Sequence, residues 1–98
     1  MCMTGMSVRA FSSLPGHEIV APGLRDMRRG RWTVEALLVA LGAERLRLLG
    51  IAVPALPPFD PAAAVHAELA RVYGDEEHAR SNALRDRLVS FLDAAEAR

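Results

Sequence analysis

The side chains able to do chemistry are few and scattered: one cysteine, three histidines, twelve acids and twelve basic residues, all of them arginine. The densest polar grouping is in "EEHARSNALR", where His78, Ser81, Asn82 and Arg85 follow the i, i+3, i+4, i+7 spacing that puts them on one helical face. Asparagine is a poor residue inside a helix, so Asn82 points to a hydrogen-bonding role that packing would not demand. A polar pocket of a small enzyme, built on His78, Asn82 and Arg85, is one reading of this face. A solvated stretch overhanging the core is the simpler one.

A second grouping, "GLRDMRRGRW", brings Arg25, Arg28, Arg29 and Arg31 up to Trp32. Residues three and four apart share a helix face, so a helix end could present two or three guanidinium groups beside an indole. Such a surface can grip phosphates or stack on a base. A nucleic-acid or nucleotide-binding accessory protein is therefore the alternative function. Against it, cations are favoured at any helix C-terminus by the dipole, and the formal net charge is zero where a nucleic-acid domain is usually basic.

No catalytic residue, metal site or cofactor site follows from spacing. Cys2 stands alone with no base placed near it, which also rules out an internal disulfide and suits a reducing, cytoplasmic setting. His66 and His78 lie far apart in sequence, "HAE" turns Glu68 away from His66, and the neighbours in "EEH" occupy different faces. His66, beside Val65 and Leu69, reads as a residue at the core boundary. The glycines fall singly, so no phosphate-cradling loop is present. No secretory leader and no membrane span is expected, since Gly42, Glu44, Arg45 and Arg47 interrupt the apolar run in mid-chain.

The elements that must position these groups are helical. A chain of 98 residues with 51% hydrophobic and only 5% aromatic residues is one domain with a core of Leu, Val and Ala, residues that favour an all-α fold. The absence of lysine matches the codon bias of a GC-rich bacterial genome. Residues 1–12 read as a mobile arm and 13–98 as a single helical domain of about five helices. The first runs from His17 to Gly30, with Pro22 near a first turn or at a kink. Thr33 caps the second, which ends near Leu41, and "AERLRLL" between Gly42 and Gly50 forms a short third. A strand through "LRLLGIAV" would have no partner.

"VPALPPFDP" is an extended linker between helices three and four, because each proline removes a donor and disfavours helix in its predecessor. Asp60 with Pro61 opens the fourth helix, Gly74 closes it, and Asp75 caps a long fifth reaching about Ala95. The expected core is Val34, Leu37, Leu38, Leu41, Leu46, Leu49, Val65, Leu69, Val72, Leu84, Leu88, Phe91 and Leu92.

Helix two raises the functional question. Val34, Leu37, Leu38 and Leu41 make one face while Ala36, Val39 and Ala40 make the other, so it is apolar nearly all round. One reading is a central helix packed on both sides by its own neighbours; the other, expected here because few elements remain to cover both sides, is that the small-residue face Ala36, Val39 and Ala40 is completed by another chain. Residues 1–58 hold seven arginines against four acids and residues 59–98 five against eight, an asymmetry able to orient self-association. The function expected is a small helical protein–protein interaction module, self-associating or serving as the partner subunit of a larger complex.

Overall fold

The computed structural model describes residues 11–97, and every structural statement below concerns those residues. Five α-helices follow one another: α1 His17–Arg28, α2 Val34–Leu41, α3 Ala43–Leu48, α4 Pro61–Tyr73 and α5 Glu77–Glu96, with the 3-10 turn Gly74–Glu76 joining the last two. The fold is all-α, with the proline-rich linker between α3 and α4. Of the expected arm, residues 1–10 lie outside the described residues. Phe11 belongs to the core: it is 3% exposed and meets Phe91 edge-on, ring centroids 5.9 Å apart. A large ring gains more from burial than the chain end loses in freedom, so the packed domain reaches back to residue 11.

α1 starts at His17, ahead of Pro22, and carries the proline inside the helix. An interior proline costs a helix about 3 kcal/mol. Burial of Ile19, Val20, Leu24 and Met27 along one face outweighs it. The helix ends on Gly30 at positive φ, and the Arg31 N–H donates back to the Asp26 carbonyl at 2.8 Å. Thr33 then does two jobs. Its hydroxyl accepts from the Ala36 N–H at 3.2 Å, capping α2 as expected, and donates to the Asp26 carboxylate at 2.8 Å, tying the new helix to the end of the old one.

α1 lies on α2 so closely that Gly23 has no room for a side chain. A Cβ built on Gly23 would sit 2.5 Å from the Glu35 carbonyl oxygen and 2.5 Å from a Val39 methyl. This contact corrects the expectation for α2. Ala36, Val39 and Ala40 are 0%, 0% and 6% exposed, buried within the chain rather than left for a partner. Small side chains do permit close helix approach here, but the helix that approaches is α1 of the same chain. Leu41, expected inside, is instead exposed at the end of α2.

α3 follows Gly42 directly and buries Ala43 and Leu46. In the linker Ile51 returns to the core, and the Arg47 guanidinium donates to the Val53 and Pro54 carbonyls at 3.4 and 3.2 Å. Asp60 caps α4 by accepting from the Ala62 N–H at 3.0 Å, with Pro61 in the first turn where its missing N–H costs nothing. Val65 and Leu69 are buried, but Val72 is 55% exposed because the last turn of α4 runs beyond the core. α5 buries Leu88, Phe91, Leu92 and Ala95, as its stripe requires. Val34, Leu49 and Leu84, also assigned to the core, are only partly buried against it.

Gly23→Ala should cost about 1–3 kcal/mol, since its methyl meets a backbone oxygen that cannot rotate away. Val39→Arg, which forces a charge into the same contact, should abolish the folded state. Thermal melts followed by circular dichroism read both, and a Gly23→Ala melt that overlays the wild type would rule out this crossing.

Candidate functional site

Gly74 carries φ 58° and ψ −120°, a backbone state that a Cβ would strain. It lets the chain reverse within three residues, so that α4 and α5 run side by side from the turn. The expected Asp75 cap is absent. Asp75 lies within the 3-10 turn, Glu76 occupies the cap position without a side-chain hydrogen bond, and α5 begins at Glu77.

The reversal decides which polar groups meet. His66, in the second turn of α4, contacts the Glu77 carboxylate through Nδ1 and faces Arg85 Nη2 through Nε2 at 3.4 Å. With its proton on Nδ1, a neutral imidazole satisfies both: Nδ1–H donates to Glu77, and Nε2 accepts from Arg85. His78 completes the group. Its Nε2 lies 3.9 Å from the second Glu77 oxygen, and its ring is tilted against that of His66 with centroids 5.9 Å apart. The Glu77 side chain is only 13% exposed and that of His78 86%, so the cluster has an anchored floor and an open side.

Sequence spacing does not show this cluster, because its two histidines come from different helices and meet only through the Gly74 turn. Of the expected polar face, Arg85 joins the cluster and His78 forms its rim. Ser81, 1% exposed, is the one buried polar residue, and its hydroxyl has no hydrogen-bond partner. The Arg85 Nε is likewise buried and unpartnered. Asn82 is exposed and stands apart from the rest.

Beside the cluster, a groove of about 240 Å³ opens between the α2–α3 corner and α5. Leu41, Leu88, Val89, Leu92 and Gly42 give it an apolar lining, with Arg45 and Arg85 adding charge. Arg45 is held in place by α5: its Nη2 lies 2.7 Å from Glu96 and 2.9 Å from Asp93, and its Nε donates to Glu96 at 2.9 Å. These bonds, to Glu96 first and Asp93 second, push the already high Arg45 pKa further up and lower that of Glu96. On the opposite edge of α5, the Arg87 hydrogen bond lowers the pKa of Glu18 on α1.

The arginine cluster occupies a third place. Arg25, Arg28, Arg29 and Arg31 are all exposed, and none has an ion-pair or side-chain hydrogen-bond partner among the described residues. Trp32 is half-buried and packs edge-on against Phe59 of the linker, centroids 5.8 Å apart. The indole is thereby fixed next to the basic turn. No helix among the described residues is long and apolar enough to cross a membrane.

The chain matches no family model, no curated protein and no solved structure. The functional assignment therefore rests on geometry and chemistry.

Glu18 and Glu96 each tie a separate helix to α5 and have folded-state pKa values below their ordinary 4.5. Their contribution is complete above the unfolded value and is lost as the pH falls through the lower folded value. The thermal midpoint should therefore drop below about pH 4.5, and Glu18→Gln with Glu96→Gln should flatten that acid limb slightly, since exposed pairs contribute little. An acid limb unchanged in the double variant would assign the loss to other groups.

Proposed function

We propose that the chain is a small helical interaction module that pairs with a second copy of itself through the groove between the α2–α3 corner and α5. The observation that carries the reading is the composition of this groove. Leu41 and Val89, 37% and 43% exposed, stand over an apolar floor of Leu88 and Leu92, where a monomer gains nothing from leaving them in water. The groove also joins the two halves of the charge asymmetry. Leu41, Gly42 and Arg45 come from the basic half of the sequence, and Arg85 to Leu92 from the acidic half. A two-fold axis running along the line where the two halves meet in the groove would lay the acidic half of each copy over the basic half of the other, and charge favours that orientation of the pair over one that lays like on like.

A second reading has its own observation. Arg45, Arg71 and Arg87 are ion-paired, Arg47 bonds backbone carbonyls, Arg80 lies over the Tyr73 ring and Arg85 meets His66. Only the four arginines of residues 25–31 are unengaged among the described ones. Beside the fixed Trp32 they form a surface suited to the phosphates and bases of a single-stranded nucleic acid.

Light scattering should give the mass of a dimer, and Leu41→Arg or Val89→Arg should give a monomer with an unchanged helical spectrum, because both side chains already reach solvent. A wild-type monomer at high micromolar concentration would refute the self-pairing. For the second reading, the triple variant Arg25→Glu, Arg28→Glu, Arg29→Glu should melt like the wild type but lose low-salt binding of a labelled oligonucleotide. Equal binding by both proteins, or none by the wild type, would remove the arginine surface from consideration.

A further inference from the structure

We infer that His66, Glu77 and His78 form a binding site for a zinc-class divalent metal ion at the α4–α5 turn. The three residues each offer one ligand atom, and these atoms all lie within 4.8 Å of one another. Two imidazoles and one carboxylate are a borderline donor set, suited to zinc, cobalt or nickel rather than to calcium or magnesium, which prefer oxygen alone. In a tetrahedral zinc site, ligand atoms about 2.1 Å from the metal stand roughly 3.4 Å apart. The 3.9 Å between His78 Nε2 and Glu77 is close to that spacing, and the His78 side chain, 86% exposed, is free to close the remainder. The open side leaves the fourth position to water.

The surroundings fit unequally, and the misfit is informative. Ser81 lies one turn beyond both Glu77 and His78 on the same helical face, and its buried hydroxyl has no partner within the chain. It is a polar group left over by the fold next to the ligand set. Arg85 works the other way. When His66 gives its Nδ1 lone pair to a metal, the imidazole proton must move to Nε2, the atom that now faces Arg85 Nη2 at 3.4 Å. Two donors would then oppose each other, with a fixed positive charge close to the ion. Arg85 is therefore a gate on affinity: it stabilises the metal-free hairpin by donating to His66 and must turn outward when metal binds. A metal there would cross-link α4 to α5 across the Gly74 reversal.

The test uses the full-length untagged protein, stripped with chelator and titrated with Zn²⁺ by calorimetry, and with Co²⁺ by visible absorption. One zinc ion per chain and the visible bands of four-coordinate cobalt are expected, with a higher melting temperature in zinc. His78→Ala, which removes an exposed side chain and should leave the fold intact, is expected to abolish the stoichiometric binding, as is Glu77→Gln. Arg85→Gln replaces the opposing donor with a group able to accept from His66 Nε2–H and should tighten zinc by about tenfold. His17→Ala and Cys2→Ser should leave binding unchanged. No zinc binding by the wild type, equal binding by His78→Ala, or loss of binding in His17→Ala or Cys2→Ser would overturn the site. Arg85→Gln binding that is unchanged or weaker would overturn the gate.

Discussion

The crossing of α1 over α2 at Gly23 is the contact on which the rest of the structure depends. α2 is eight residues long and almost wholly apolar, so on its own it could not stay monomeric in water. A glycine lets the α1 backbone come down onto Glu35 and Val39, and that approach seals the small-residue side of α2. α2 packs as well against α4 and α5, and Leu37 and Leu38 are buried in the shared core. Asp26 and Thr33 hold the two helices at this distance by joining the end of one to the start of the next. The apolar surface that α2 leaves exposed thus lies not at its middle but at its far end, where Leu41 lines the same groove as Val89.

The charged groups are distributed by the same packing. Three helices bring polar pairings to α5: Glu18 from α1 with Arg87, Arg45 from α3 with Asp93 and Glu96, and His66 from α4 with Glu77 and Arg85. The pairs made by Glu18 and Arg45 lie at the surface and add little stability alone, whereas Glu77 is largely buried against His66. Their common effect is on alignment, since α5 is a single 20-residue rod and a rotation about its axis would break all of them together. The arginines of residues 25–31, at and beyond the end of α1, take no part in this scheme among the described residues.

The α4–α5 turn departs from the rest in a physically coherent way. Of the three buried side-chain polar atoms without a hydrogen-bond partner among the described residues, His17 Nε2 lies at the start of α1, and the other two, on Ser81 and Arg85, lie here. Unsatisfied buried donors are costly, and such local conflicts tend to mark functional surfaces rather than structural ones. The turn depends on a glycine in a backbone state that other residues avoid, so the cluster of imidazoles and carboxylate is a consequence of a single position, Gly74.

Local chemistry determined much of this protein without reference to its fold. The caps at Thr33 and Asp60, the stops at Gly30 and Gly74, the proline linker and the apolar stripe of α5 are written in runs of a few residues, and their hydrogen bonds are satisfied within one turn. What local pattern could not decide was which of two apolar faces is covered and by what. Periodicity marks a face as apolar, but only the Gly23 contact shows that Ala36, Val39 and Ala40 are sealed from within, and only the ends of the helices show that Leu41 and Val72 are not. The same holds for His66, whose neighbours in sequence make it a boundary residue. Its partners lie 11 to 19 positions away on another helix, and spacing rules within one helix carry no information across a reversal of the chain.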